Sequence, residues 1–323
     1  MRSRHWLLLA LIVSASGLSA LEIGVEARSG SLQFPWSDTT ALAGTGNFDA
    51  TDPTRWFWGG AGWADIPLGE DFDFHLGYET DPVLRNVVSS LFRFDRGIAR
   101  IGVGPFFGFL NQDNRLASFG LSTAIQVQWP GIAFLSARSD GGLALGLVAG
   151  LASVPQTRAE ISAGFFTPNA IVSAVVSGKR FSQTDAANKL INDDLTSYSL
   201  VVDIYKKNVP YRITTTVGYQ IRSKFFEGSG TSGLTDSLGS AVMGLKLSVE
   251  AVQGLIIYGE FSDAVFTFGM DNLKGRSPPT SSVLFQASLG TTWLIDTDEL
   301  VAGVQRMFEK KKPAANPAPA KAP

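Results

Sequence analysis

Apart from His5 near the start, the chain contains one histidine, His75, which lies among carboxylates in the stretch DFDFHLGYETD at 71–81. A histidine paired with a carboxylate can act as a general base, and a neighbouring serine or threonine would complete a hydrolytic set. Asp73 is two residues away, which in an extended strand is ~6.6 Å and too far for a short hydrogen bond. Positions 73 and 77 hold neither serine nor threonine. We therefore predict no catalytic role for His75 and no enzyme activity.

The same stretch alternates strictly between large apolar and polar residues. One set, at every second position, is Phe72, Phe74, Leu76 and Tyr78, and the other is Asp71, Asp73, His75, Gly77 and Glu79. Such alternation predicts a β-strand with one apolar face and one polar face. In a soluble sandwich the apolar face would meet a protein core, whereas in a transmembrane barrel it would meet lipid and the polar face would line an aqueous lumen.

Segments of about ten residues with this alternation follow one another from Leu21 onward, with turn signals between them. Their polar faces carry Gly, Ser, Thr, Gln and charges of both signs, which suits a wet interior better than a second core. Aromatic residues recur near the strand ends, where an interfacial girdle requires them: Trp58, Trp63, Tyr78, Trp129, Tyr198, Tyr211 and Trp293. We favour an all-β, transmembrane, antiparallel up-and-down β-barrel over a soluble β-sandwich.

The number of strands is predicted as about 14–16. Short turns and long loops alternate along the chain as in such barrels, but the alternation loses its phase between residues 130 and 180. Fourteen and sixteen strands therefore both remain open. The predicted lipid-facing or girdle residues are Phe72, Phe74, Tyr78, Trp129, Tyr211 and Trp293.

The composition supports export and excludes several kinds of site. The chain is 45% hydrophobic with 34 glycines, and it contains no cysteine, so disulfides and thiolate metal sites are excluded. Its 27 basic and 29 acidic residues are spread without a concentrated basic face, which argues against nucleic-acid binding. We predict no cofactor and no metal.

The two ends of the chain differ from the region between them. Residues 1–20 have a basic start, a short apolar run and small residues ending at Ala20, which predicts a secretory signal peptide. Residues 21–308 form the predicted barrel. Residues 309–323 are rich in Pro, Ala and Lys, which predicts a disordered periplasmic tail. Its lysines could contact an anionic cell wall, or the tail could simply stay in water.

The segment LVAGVQRMF, which ends at Phe308, is similar to the terminal assembly signal of bacterial outer-membrane proteins, although Arg306 and the tail depart from that pattern. Taken as a whole, residues 21–308 resemble a bacterial outer-membrane β-barrel of the porin-like type. The resemblance covers architecture only. It implies location in a bacterial outer membrane, contact with outer-membrane lipid and the barrel-assembly machinery, and compatibility with an oligomer.

Charged residues on the polar faces form two predicted lumen clusters. The first combines Asp71, Asp73, His75 and Glu79 with Arg93 and Arg100, and the second combines Asp203, Arg212, Lys246, Glu250 and Glu260. Opposite charges on neighbouring strands attract, and ladders of charge inside a lumen are one way in which pores select. The clusters could equally be salt bridges that fill a closed lumen.

Three functions follow from these alternatives. The first is a porin-like channel for small hydrophilic solutes, which a barrel of this length favours because large barrels leave an aqueous channel. The second is a transporter of hydrophobic ligands, which would need an apolar lumen pocket. The third is a non-conducting structural or adhesin barrel whose loops are exposed at the surface.

Overall fold

The computed structural model describes residues 21–30, 57–81, 83–109, 116–144, 151–153, 155–185, 190–206, 209–226, 234–270 and 284–295. These residues form fifteen β-strands. They are β1 Leu21–Gly30, β2 Phe57–Pro67, β3 Phe72–Asp81, β4 Arg85–Arg96, β5 Ala99–Phe109, β6 Leu116–Trp129, β7 Ala133–Ala144, β8 Leu151–Ser153, β9 Gln156–Phe166, β10 Ala170–Asp185, β11 Leu190–Tyr205, β12 Tyr211–Phe226, β13 Leu234–Val252, β14 Leu255–Met270 and β15 Leu284–Ile295. Among the residues described, no helix has the length and apolar character needed to cross a membrane.

Fourteen of the strands form a closed antiparallel barrel. Each wall strand pairs with the wall strands before and after it, and β1 closes the barrel by pairing with β15 from Leu21↔Ile295 to Gly30↔Gln286. The predicted all-β up-and-down barrel and its strand number are therefore confirmed.

The strand β8 explains why the alternation of short turns with long loops cannot be followed in the sequence between residues 130 and 180. It contains three residues and pairs only with the end of β10, at Thr184 and Asp185, whereas β7 pairs directly with β9. The three residues of β8 thus contribute no strand to the wall.

The connections differ between the two ends of the barrel. At one end, which we name the turn end, short turns join β2–β3, β4–β5, β6–β7, β9–β10, β11–β12 and β13–β14. Gly97, Gly131 and Gly254 occupy three of these turns with φ of 67°, 71° and 79°, in the left-handed region that favours glycine. Both chain ends of the barrel, Leu21 and Ile295, lie here too. The opposite end, the loop end, carries the other connections, among them the three-residue turn between β3 and β4.

The alternation of residues puts an apolar face outside. Large apolar side chains such as Phe92, Leu121, Val217 and Leu289 stand exposed on the outer surface. Such a surface requires lipid, because contiguous apolar patches of this extent are rare on soluble monomers. The inner face carries the polar and charged side chains.

Three predicted segments lie outside the described residues. These are the signal peptide at 1–20, the segment ending at Phe308, and the tail at 309–323. They stay predictions, including the assembly role of Phe308.

Candidate functional site

The lumen brings together the chemistry-bearing side chains. Near the turn end, Arg93 on β4 donates through its Nε to Asp73 on β3 and through its Nη2 to Asp65 on β2. His75 Nδ1 lies 2.8 Å from Asp65 Oδ1. Asp65, which the sequence analysis did not select, is thus shared by the histidine and the arginine, and we name Asp65, Asp73, His75 and Arg93 the turn-end cluster.

The partner of His75 is set by strand register. His75 lies directly opposite Asp65 in the β2–β3 ladder, so their side chains share the lumen face at close range. Asp73, two residues along the same strand, bonds Arg93 instead. In the described part of the chain no serine or threonine hydroxyl bonds to the imidazole, and no group of three or more His, Cys, Asp or Glu side chains is placed to hold a metal ion.

Glu79 is the centre of a larger group nearer the loop end. Its carboxylate accepts from Arg28 Nη1 on β1 at 2.5 Å and from Arg158 Nη1 on β9 at 2.7 Å. Arg158 also donates through Nε to Asp140 on β7 at 2.5 Å. Since β4 to β7 separate β3 from β9 along the wall, the Glu79–Arg158 ion pair crosses the lumen, whereas the other two pairs join neighbouring or nearby strands.

Further contacts extend this group on both sides. Arg138 on β7 lies 3.1 Å from Asp140 and donates to Ser89 on β4 at 2.8 Å. On the other side Arg28 bonds Glu26, which accepts from the Tyr258 hydroxyl on β14 at 2.6 Å. We name the whole set the transverse network: Glu26, Arg28, Glu79, Ser89, Arg138, Asp140, Arg158 and Tyr258. Every ionised member is partnered by opposite charge, so the network fills space without leaving a free charge.

The short β3–β4 turn also reaches across the lumen. Val83 and Leu84 in this turn are fully buried, and Leu84 packs with Val87 and Phe106. Gln156 on β9 donates to the Leu84 carbonyl at 2.5 Å. Two of the apolar inward residues that could have formed a ligand pocket, Leu91 and Phe106, are instead buried in this packed part of the barrel.

The second predicted cluster is divided in the structure. Asp203 accepts from Arg212 Nε at 2.5 Å, near the turn end. Lys246 lies 3.8 Å above the Tyr258 ring and directly opposite Glu260 in register, beside the transverse network. Glu250 accepts from the Gly254 N–H at 3.0 Å, so it caps the β13–β14 turn.

Two residues of the first predicted cluster are also placed differently. Asp71 lies exposed in the β2–β3 turn, one residue before β3 begins, and therefore does not line the wall. Arg100 pairs with Asp95, its register partner across the β4–β5 hairpin, at 2.5 Å, and does not join Asp73 or Glu79. The prediction that Arg100 adjoins the acidic face of β3 is wrong because β4 and its own acidic residue lie between them.

Four neighbouring strands of the wall, β10 to β13, present hydroxyl groups to the lumen between their charged residues. On β10 to β13 the inward residues include Ser173, Ser177, Ser197, Ser199, Thr214, Thr216 and Ser248. Two ion pairs bracket this hydroxyl wall: Asp203–Arg212 at the turn end and Asp193–Arg222 at the loop end, the latter at 2.6 and 2.9 Å. The lumen is therefore asymmetric, because the hydroxyl groups are concentrated on β10 to β13 and the transverse network lies on other strands.

The structure places the predicted lipid-facing residues on the outer surface. Phe72, Tyr78, Trp129, Tyr211 and Trp293 are exposed there, and Phe74 is half-buried because its ring packs on Phe92 at 4.7 Å between centroids. Trp63 differs: its ring covers Gly24 on the inner face and its Nε1 lies 3.4 Å from Glu22 Oε1. Our assignment of Trp63 to the apolar face is wrong. It lies five residues after Trp58, an odd spacing that puts the two on opposite faces.

No family model and no curated protein matches this sequence. Solved structures with a similar fold include an outer membrane channel from Pseudomonas putida, 8% identical over 86% of this chain and 96% of that chain, with a TM-score of 0.49. A FadL homologue from Pseudomonas aeruginosa is 11% identical over 86% and 90% of the two chains, with a TM-score of 0.48. OmpT, an outer membrane protein of Vibrio cholerae, is 7% identical over 86% and 97%, with a TM-score of 0.43. The closed antiparallel barrel itself is established by the strand pairing of this chain.

Proposed function

We propose that this chain is a channel of a bacterial outer membrane that passes small hydrophilic solutes. The observation that carries the proposal is a polar lumen wall that continues from the turn-end cluster to the Asp193–Arg222 pair, inside an apolar outer face. The hydroxyl wall on β10 to β13 offers such solutes hydrogen-bond donors and acceptors along this length. Contact with outer-membrane lipid, the barrel-assembly machinery and, through the lysine-rich tail, the cell wall remains part of the same proposal.

A second candidate, a non-conducting barrel, is favoured by one specific observation. The ion pair of Glu79 with Arg158 spans the lumen and occupies part of its section. In that case the exposed loops would carry the function. The transport of hydrophobic ligands has less support, because Leu91 and Phe106 are packed against the wall.

The two candidates separate in a planar bilayer. The purified protein is added to a lipid bilayer, and current is recorded at fixed voltage in KCl. Stepwise currents of uniform size, together with swelling of liposomes in neutral sugars, are expected of the channel. Reproducible insertion without current would contradict the channel and support the filled barrel.

A further inference from the structure

We propose that the lumen holds a binding site for small organic cations at the turn end of the barrel, beside the seam between β1 and β15. Its parts are the Trp63 ring, the Glu22 carboxylate and the apolar side chains of Leu294 and Ile256, and we name these four residues the cation shelf. Its ligand is an alkylammonium ion with a short apolar chain. The inference deepens the proposed channel function and rests on it, because it names a class of solute that would dwell in the lumen.

The indole of Trp63 lies flat against the lumen wall. Trp63 is paired with Gly24 of β1, and a Cβ atom at Gly24 would overlap the indole atoms Cε2 and Cζ2. Only glycine at this position therefore lets the ring rest on the β1 backbone. The ring is half-buried, with one face on this backbone and the other open to the lumen. Among side-chain rings, the indole attracts a cation over its face most strongly.

Glu22 adds a carboxylate that has no cation of its own. Its Oε1 atom lies 3.4 Å from Trp63 Nε1, at the edge of the ring. Within the described strands, no lysine, arginine or histidine pairs with Glu22. Glu26, the other acidic residue of β1, is bonded by Arg28 and by the Tyr258 hydroxyl. Glu22 thus differs from Glu26 in presenting an uncompensated negative charge to the lumen.

A second carboxylate strengthens the attraction for a cation at this position. Asp65 on β2 lies directly opposite Glu22 in the β1–β2 ladder, and like charges in such positions repel each other. The partners of Asp65 are His75 on β3 and Arg93 on β4, which lie on the side away from β1. A positive group placed beside Glu22 therefore relieves a repulsion that these two partners leave in place.

Exposed apolar side chains continue the shelf on the other side of Glu22. Leu294 on β15 is the register partner of Glu22 and is 51% exposed. Ile256 on β14 is 40% exposed and pairs with Thr292, which in turn pairs with Gly24. Both side chains therefore share the inward face with the Trp63 ring. Covering such groups with the methyl or methylene groups of a ligand removes apolar surface from water, which is favourable.

The combination of a ring, a charge and an apolar surface defines the class of ligand. An inorganic cation would meet Glu22 but would not cover Leu294 or Ile256. A neutral sugar can stack on the indole but leaves the charge of Glu22 uncompensated. An alkylammonium ion meets the ring face, the carboxylate and the apolar side chains at once.

The test compares two molecules of the same shape. The probes are choline and its uncharged carbon analogue, in which a tert-butyl group replaces the trimethylammonium group, and glucose is titrated in parallel. Binding to the purified protein in detergent micelles is measured by calorimetric titration, with empty micelles as the blank, so no open channel is required. The variants are Glu22→Gln and Trp63→Leu. Their controls are Asp71→Asn, in the exposed β2–β3 turn, and Trp58→Leu, on the outer face of the same strand as Trp63.

We expect choline to bind more tightly than its uncharged analogue by about tenfold, since the analogue keeps the apolar contacts and loses the attraction to the ring and the carboxylate. Glu22→Gln and Trp63→Leu should each weaken choline binding by about three- to tenfold. Glu22→Gln should leave the binding of the uncharged analogue unchanged. Both control variants should bind choline as the wild type does, and gel mobility with and without heating reports the folding of each variant.

The other outcomes separate the cation shelf from the channel. Equal affinity of the wild type for choline and its analogue would overturn the shelf, and this comparison needs no variant. Choline binding that is unchanged in both Glu22→Gln and Trp63→Leu would overturn it as well. Glucose binding without choline binding would replace it by a stacking site for sugars. Choline binding that depends on Glu22 and Trp63, in a protein that carries no current in the planar bilayer, would keep the site and overturn the channel.

Discussion

Glu79 on β3 and Arg158 on β9 form a 2.7 Å ion pair although the strands β4 to β7 lie between them along the wall. The pair draws together two sides of a barrel that share no ladder. Arg28 and Asp140 complete the charge balance around it at 2.5 Å each. The cross-section of the lumen at this level is thus fixed by side chains, in addition to the number of strands.

Removal of Arg158 is expected to destabilise the barrel. Arg158→Met would remove the cation that Glu79 and Asp140 share and leave each with one arginine, Arg28 or Arg138; truncating one partner of a buried pair costs up to ~3–5 kcal/mol. The free energy of unfolding in urea, followed by the gel shift of the folded barrel, measures the change. Arg180→Met is the control, since an exposed pair contributes ~0–1 kcal/mol and Arg180 is 61% exposed. Equal losses for the two variants would contradict a bridging role.

The assignment of faces predicts opposite results for two adjacent residues of β12. Val217 stands on the outer face and Thr216 faces the lumen. Val217→Arg would place a guanidinium in lipid, at a cost of ~2–4 kcal/mol near the middle of the bilayer, whereas Thr216→Arg can hydrate its charge. We expect Val217→Arg to reduce the yield of folded protein in membranes and Thr216→Arg to insert normally. Normal insertion of both would refute the assignment.

A methyl group at Gly108 is expected to displace Gln156. Its Cβ would overlap the Gln156 Oε1 and Ser118 Oγ atoms, and overpacking of this kind costs ~1–3 kcal/mol. Gly108→Ala should therefore lower the unfolding midpoint in urea. At Gly178 on β10 an added Cβ meets nothing within 4 Å, so Gly178→Ala should leave the midpoint unchanged. A lowered midpoint for Gly178→Ala, together with an unchanged midpoint for Gly108→Ala, would contradict the close packing of Gln156 and Ser118 against Gly108.

Removal of Arg93 is expected to change ion preference. Arg93 bonds both Asp65 and Asp73, so Arg93→Met leaves two lumen carboxylates without their cation. The reversal potential in a KCl gradient should shift towards cation preference, since lumen charges set selectivity. Arg96→Met, at the exposed end of the same strand, is the control. An unchanged reversal potential in Arg93→Met would place the turn-end cluster outside the ion path.

Alternation was sufficient to predict the barrel, because a period of two assigns faces without any tertiary contact. The same rule, applied more strictly, would have placed Trp63 inside, since it lies an odd number of residues from Trp58. It would also have selected Asp65, an even number of residues from Trp63. The pairing of Asp95 with Arg100 could likewise have been read from the turn at Gly97, which puts those two residues opposite each other.

The transverse network could not be predicted in this way. Arg158 and Lys179 meet Glu79 and Asp81 across the lumen, where the contact depends on barrel diameter, strand tilt and side-chain length. Barrel diameter and strand tilt cannot be deduced from residues that are close together in the sequence. The hydrogen bond between the β3–β4 turn and Gln156 was missed for the same reason.

The seam between β1 and β15 imposes an order on biogenesis. The first described strand, β1, pairs with the last, β15, so an incomplete chain that lacks β15 is an open sheet with two unpaired edge strands. Unpaired backbone groups in hydrocarbon cost several kcal/mol each. Ten residue pairs form when β1 pairs with β15. An emerging chain must therefore be shielded until β15 arrives, and a truncation before Leu284 should leave a product that is degraded rather than a smaller pore.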